Sequence, residues 1–412
     1  MFSKLKSLYL YIRENRFTRS LMRYFDWPLF LMVIAISLFG IVCIFSATSS
    51  EVTEYPSTVM EMLETQSITY PRLQLIWLVI GTIAMSVIIF FPYELYGQYS
   101  SAIYLLNILM LMLTLAVAEV GRGGMQAFLS WGSSSERGFQ PSELGKVMMI
   151  MCFAKTFSVR KRPIQNLHDI FPLVIYLAIP LFLIVAQPDF GTAMVYLAVF
   201  CVLVFVSGTS WKLILSVLGI GVLLIIPVWY FMNNTENFRL TRILIWLDPF
   251  SYPDEARQVI NAQIAVGSGD VFGKGIISPG SLASLGYISD DHTDFIYAVV
   301  CESFGLVGGC GLILAYLVLL GRLIYLSLRV HDPYGSYIII GVMAMFLFHI
   351  FENISMVIGL MPVTGIPLPF VSYGGSNMLT NMMAIGLVEN VVMRTKMREV
   401  SAKLNSNRAW AL

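Results

Sequence analysis

The chain has 412 residues, 57% of them hydrophobic and 12% charged, with a mean hydropathy of +0.75 and a formal net charge of +1. Soluble domains carry roughly a quarter charged residues, so a soluble class is excluded and the chain reads as an all-α polytopic membrane protein. The near-neutral balance names no partner; the placement of the charges says more.

A spanning helix needs about 20 apolar residues. In chain order the pattern predicts ten spans, near 25–47, 73–91, 101–118, 142–157, 170–186, 190–207, 212–231, 294–320, 335–359 and 372–393. The basic start followed by an apolar run resembles a signal peptide. That run is too long for a cleaved apolar region and lacks a cleavage site, so it is taken as the first span. With the N-terminus inside, 18 of the 26 Lys and Arg fall on inner segments, as the positive-inside rule requires. The segment before the second span instead carries Glu51, Glu54, Glu61 and Glu64. Ten spans keep this alternation and nine would break it, so both termini are expected in the cytoplasm. The chain is organised as a single membrane domain, 1–412. It has a cytoplasmic segment at 1–24, a tail at 394–412, and a long extracellular loop at 232–293 between the seventh and eighth spans. Shorter outer segments, 119–141 and 360–371, are rich in Gly, Pro and Ser. No internal repeat or low-complexity linker is evident. Cys43, Cys152, Cys201, Cys301 and Cys310 lie in apolar stretches and are expected to be small buried hydrophobes.

Five stretches carry chemistry. In Gln140-Pro-Ser-Glu-Leu-Gly-Lys146 the proline suits a first helical turn. Glu143 and Lys146, three apart, share a helix face, either as a self-neutralising pair or as functional groups. Gln187-Pro-Asp-Phe-Gly-Thr192 is a tight turn whose Asp189 can cap the next helix, serve function, or do both. The long outer loop holds Arg239, Arg242, Arg257 and Lys274 among acids. Its run Ala265-Val-Gly-Ser-Gly-Asp-Val-Phe-Gly-Lys-Gly275 offers backbone N–H groups of the kind that meet phosphate, but it lacks the ending of a Walker A loop; alone it reads more often as a turn. Tyr287-Ile-Ser-Asp-Asp-His-Thr-Asp-Phe-Ile-Tyr297 brings three carboxylates and a histidine to the mouth of the eighth span. Ionisable groups there are costly and mark function. Asp294, the last of them, reads as a functional acid or as an N-cap, and Glu302 lies about 12 Å deeper by helical rise. A metal held by His292 and Asp294 has no evident second ligand pair. Finally, Gly359-Leu-Met-Pro-Val-Thr-Gly-Ile-Pro-Leu-Pro-Phe-Val-Ser-Tyr-Gly-Gly-Ser376 cannot form a regular spanning helix. Non-helical backbone at this depth must be buried in protein or line a wet cavity, with Ser372, Tyr373 and Ser376 as its polar contacts. By topology these stretches converge on the outer leaflet, where they suit a lipid-linked anionic substrate.

Gln140-Pro-Ser-Glu143, Gln187-Pro-Asp189, His292-Thr-Asp-Phe295 and Pro362-Val-Thr-Gly-Ile-Pro-Leu-Pro-Phe-Val-Ser-Tyr-Gly-Gly375 together resemble the hallmarks of the SEDS (shape, elongation, division and sporulation) proteins. The resemblance covers nearly the whole chain. Its short tails and the approach Phe25-Asp-Trp-Pro28 are nearer the RodA branch than the FtsW branch. The resemblance implies a peptidoglycan glycosyltransferase that polymerises lipid II on undecaprenyl pyrophosphate, without a nucleotide, in cell wall elongation and cell shape, with a division or sporulation paralogue of the same family as the alternative. It maps the essential acid to Asp294, and Glu143, Lys146 and Asp189 to motif positions. It implies a class B penicillin-binding protein as partner, other elongation proteins and membrane lipid around it, and no nucleic acid. Arg239, Arg242, Lys274 and Lys146 are candidates to neutralise the departing pyrophosphate, with His292 beside them. A divalent cation (Mg2+ or Mn2+) could share that role; its ligands are unknown at this stage.

Two departures stand out. A common Leu-Pro-Glu before the histidine motif is Ile288-Ser-Asp290 here, and extra residues (Ser133 to Arg137) leave Phe128 or Trp131 in the place of an upstream tryptophan. Two other classes remain open: a lipid II flippase, which would relocate lipid II without making polymer, and a scaffold, in which Asp294→Ala would be silent.

Overall fold

The computed structural model describes residues 22–48, 68–117, 129–130, 138–160, 164–213, 238–278 and 280–409. The acidic run 51–64, residues 131–137 with Trp131, Phe128, and most of the expected seventh span lie outside the described residues.

The described chain is helical apart from one short antiparallel pair. The helices are α1 (Trp27–Ala47), α2 (Thr69–Phe90), α3 (Tyr93–Gln98), α4 (Ser100–Val117), α5 (Pro141–Ser158), α6 (Leu167–Ala186) and α7 (Phe190–Val206). They continue with α8 (Phe238–Leu247), α9 (Pro253–Ser268), α10 (Ile296–Arg329), α11 (Pro333–Val357) and α12 (Gly375–Ala409). The strands β1 (Leu129–Ser130) and β2 (Gly138–Phe139) pair Leu129 with Phe139 and lead the chain into α5. Among the described residues six helices, α1, α2, α4, α6, α10 and α11, are long and apolar enough to cross a membrane; α7 is apolar but shorter. Leu31, Ile83, Leu105, Phe182 and Leu314 are among the large apolar side chains left exposed, an apolar surface of the extent that lipid covers.

Local sequence explains how these helices start. Asp26 caps α1 by accepting from Leu29 N at 3.2 Å, and Pro28 opens its first turn. Asp332 does the same for α11 through Gly335 N at 3.0 Å. Burial of apolar surface does not drive association between helices in lipid, so close packing must. Gly40 of α1 is an instance: a Cβ there would lie 2.6 Å from Val371 Cα. That absence of side chain lets the non-helical stretch 358–374 press against α1. Helix α12 packs along α2, and α11 sits centrally against α5, α7, α10 and α12.

Three expectations change in detail. The expected outer loop 232–293 contains α8 and α9 rather than irregular chain alone. The helix expected from 294 begins at Ile296 and runs to Arg329, with a break at Gly305 (φ 67°, ψ −163°). The last helix begins at Gly375 and extends to Ala409. Cys43, Cys152 and Cys301 are buried as expected, whereas Cys201 and Cys310 are exposed. The stretch 358–374 is non-helical and its centre is enclosed, with Leu368, Phe370 and Val371 all at 0% exposure.

Candidate active site

Asp294 sits in the turn before α10, partly exposed. It is not the cap of that helix; Phe295 holds the cap position. The Asp294 main chain is gripped by Asn353 of α11, whose Nδ2 donates to Asp294 O and to Ile366 O, both at 2.8 Å. The carboxylate rests against Gly365, where an added Cβ would stand 3.4 Å from Oδ2. Burial is the main cause that raises the Asp294 pKa to about 6; Asp290 raises it further, while Arg242 and His292 pull it down. The acid therefore ionises near neutrality yet keeps more basicity than a solvated aspartate.

Around it the expected motifs interlock through backbone. Ser372 Oγ donates to Thr293 O at 2.6 Å and accepts from Leu368 N at 2.7 Å. Tyr373 N donates to His292 O at 2.8 Å. Residues 292–293 and 372–373 are thus joined at two points. Gln74 of α2 closes the same seam, donating to Ser372 O at 3.0 Å and accepting from Gly374 N at 3.2 Å. His292 bonds Asp291 through Nδ1 at 3.0 Å and stands with Tyr70 and Tyr373 in an aromatic group, ring centres 4.7 to 5.7 Å apart. From outside, Arg242 of α8 donates to Val363 O at 3.1 Å and Trp246 to Gly359 O at 3.0 Å. Helix α9 holds the other wall: Asn261 donates to Tyr287 O at 2.8 Å and Gln258 to Ser289 O.

The remaining expected residues divide sharply. Asp189 caps α7 through Thr192 N at 3.1 Å, and its Oδ2 accepts from Gln140 Nε2 at 2.8 Å and Ser142 Oγ at 3.0 Å. Ser376 Oγ accepts from Gln140 N at 3.0 Å. Glu143 and Lys146 pair at 2.6 Å, and Lys146 Nζ meets His349 Nε2 at 2.9 Å. His349 Nδ1 lies 2.7 Å from Met345 O, a pure acceptor, so Nδ1 carries the hydrogen and Nε2 accepts from the ammonium. These groups were expected as substrate contacts. In the structure Glu143, Lys146, Asp189 and Ser372 are buried and bonded to protein.

Lys274 is drawn away as well. Its ammonium bonds Glu302 at 2.8 Å, and the same carboxylate accepts from Leu282 N and Ala283 N. The glycine-rich run spends its N–H groups on protein: Lys274 N on Glu302 O and Gly275 N on Ser303 O. It is a packing turn against the break in α10, not an anion cradle. Arg239 lies in α8 with its side chain outside the described residues. Among the described cations, Arg242 and His292 are those whose charge acts on Asp294.

Sequence reasoning missed His349, Glu352 and Asn353. They lie within about one turn of α11 and reach, in turn, Lys146, Thr364 and the Asp294 main chain. The signal was available: two ionisable residues and an amide at i, i+3 and i+4 inside an apolar span.

Among the described residues six helices are long and apolar enough to cross a membrane, so the fold is that of a multi-pass membrane protein, with ionisable side chains gathered around Asp294. A profile of the FtsW/RodA/SpoVE family, described as "Cell cycle protein", matches residues 26–397, and the chain belongs to that family. Relatives come from both branches. A probable peptidoglycan glycosyltransferase FtsW of Geobacter metallireducens is 30% identical, covering 90% of this chain and 96% of its own. The peptidoglycan glycosyltransferase MrdB of Escherichia coli is 33% identical over 77% of this chain and 85% of its own. Among solved structures, a chain from work on coordination of polymerization and crosslinking by a peptidoglycan synthase complex aligns with a TM-score of 0.72 at 28% identity, covering 90% of this chain and 98% of its own. The rod shape determining protein RodA of Thermus thermophilus aligns at 0.63 and 26% identity, covering 90% and 97%.

Proposed function

We infer that this peptidoglycan glycosyltransferase polymerises lipid II at the outer face of the cell membrane, with Asp294 as the general base. The observation that carries the reading is Asp294 itself: a half-buried acid with a raised pKa, its carbonyl bonded by Asn353 and the residues before it, 292–293, tied to 372–373. Asp294 takes the proton from the 4-hydroxyl of an acceptor lipid II. The freed oxygen bonds to the donor's anomeric carbon as the bond to undecaprenyl pyrophosphate breaks and its electron pair leaves with the phosphate. Arg242 offsets the charge that develops there. His292 and Tyr373 line the approach, while Glu143, Lys146, Asp189, Ser372 and Ser376 hold the wall.

Among the described residues no three His, Cys, Asp or Glu gather as a metal cage. Magnesium commonly uses one or two carboxylates plus substrate phosphates. The exposed Asp290 carboxylate fits that mode, and a Mg2+ or Mn2+ held there with the substrate would supply further charge neutralisation.

Ten spans with both termini inside fit the charge pattern. The basic residues Arg322 and Lys396 cluster on Asp26 at one end of α1, and Asp294 lies toward the other. A class B penicillin-binding protein fits as partner, since a polymerase supplies the strands that such an enzyme cross-links, and a similar chain was solved in a synthase complex. The elongation role rests on the resemblance to the RodA branch.

The test is release of undecaprenyl pyrophosphate from lipid II by wild type, Asp294→Asn and Asp294→Glu. Wild type should release it, and Asp294→Asn should slow release by roughly 10²–10⁴-fold. Asp294→Glu should lose comparably, because the base is critical in position. Normal release by Asp294→Asn would remove the base assignment. Movement of lipid II across the bilayer without release would make the chain a transporter.

A further inference from the structure

Glu352 is, among the described residues, a buried ionisable group that this mechanism leaves unused and that stands beside Asn353, which holds Asp294. It is 0% exposed on α11, next to Asn353. Thr364 Oγ1 donates to its Oε1, and its Oε2 has no hydrogen-bond partner among the described residues. No ion pair reaches it among those residues either. A residue kept for packing alone would be apolar, because an enclosed carboxylate without a cation is costly.

Its surroundings say what it serves. Thr364 precedes Gly365, the residue against which Asp294 Oδ2 rests. Ile366, two further on, shares Asn353 Nδ2 with the Asp294 carbonyl. Neighbours on one helix thus hold the two sides of the base: Asn353 its main chain, and Glu352 the wall behind its carboxylate.

Resting on the polymerase reading above, we propose that Glu352 is a positioning residue for Asp294. It acts as an uncharged carboxylic acid, fixing Thr364 and through it the Gly365 backbone on which the Asp294 carboxylate lies. The uncharged acid avoids a second negative charge beside the base and still accepts from Thr364 through Oε1.

The test uses the full chain in the form that polymerises labelled lipid II. kcat and KM are measured for wild type, Glu352→Ala, Glu352→Gln, Thr364→Val and the Glu352→Ala/Thr364→Val double variant, with Asp294→Asn as reference. Folding is checked by size exclusion and thermal unfolding. Glu352→Ala and Thr364→Val should each lower kcat roughly 10- to 100-fold, the scale of a misplaced reacting group, with KM changed less than about threefold. The double variant should be no worse than either alone. Glu352→Gln should restore most of kcat and leave the acid limb of the pH profile in place. Folded Glu352→Ala with wild-type kcat overturns the proposal, as does full additivity in the double variant. A Glu352→Gln profile moved to lower pH overturns it too, since removing a negative charge would do that. If Glu352→Ala does not fold, Thr364→Val and Glu352→Gln decide. Wild type without polymer overturns the polymerase reading itself, and the inference with it; polymer lost in Asp294→Asn but not in Glu352→Ala overturns the inference alone.

Discussion

Asp294 gains its character from burial and from three neighbours, Asp290, Arg242 and His292. Burial and the Asp290 carboxylate favour its neutral form, and the Arg242 guanidinium favours its charged form. A base must be ionised to act, so kcat/KM should rise as pH increases through about 6, the folded-state value. Arg242→Ala removes the group that favours the anion, so the rise should move to higher pH. An unchanged limb in a folded Arg242→Ala protein would show that its charge does not reach the base. That Asp294, Arg242, His292 and Tyr373 are candidates was legible from residue type and position. The bonds that Glu143, Lys146, Asp189, Ser372 and Ser376 make to protein were not legible, because sequence shows that a polar group is near a site but not which of its bonds are already taken.

At the scale of elements, the site is two non-helical stretches, 287–295 and 358–374, clamped between α8 and α9 on one side and α2 and α11 on the other. The prolines and glycines of 359–376 made its irregularity readable. The helices within 232–293 were missed because that segment was read by its charge and length rather than by helical period: Pro253 followed by Asp254 and Glu255 is a sound helix start. The break at Gly305 was also missed. Its glycine meets an unusual backbone angle and a close approach to Val271 and Gly273, neither of which has a sequence signature. Gly305→Ala should cost about 1–3 kcal/mol for the backbone alone, with more from a Cβ placed 2.4 Å from Gly273 N. Thermal unfolding in detergent should show a clear loss. Gly311→Ala, where a Cβ meets nothing within 4 Å, is the control and should keep its unfolding temperature. Equal behaviour of the two variants would contradict the break.

Across the whole molecule, charge separates the ends. Asp26, Arg322 and Lys396 join α1, α10 and α12 at one end. At the other, Ser46 of α1 donates to Ile276 O at 2.7 Å and bonds Ser303 at 2.8 Å. The orientation proposed above, which follows the positive-inside rule, puts the first end in the cytoplasm. In a cysteine-free background, Asp290→Cys should label with an impermeant reagent from outside and Glu399→Cys only after the membrane is opened. Labelling of both from one side would refute the orientation. The most direct measurement of the central claim is glycan polymer itself. The protein, purified with the class B penicillin-binding protein proposed as its partner, is given labelled lipid II and a divalent cation, and the products are resolved on a gel. Polymer from wild type and none from a folded Asp294→Asn protein is the result expected; equal polymer from both, or none from either, would contradict the account.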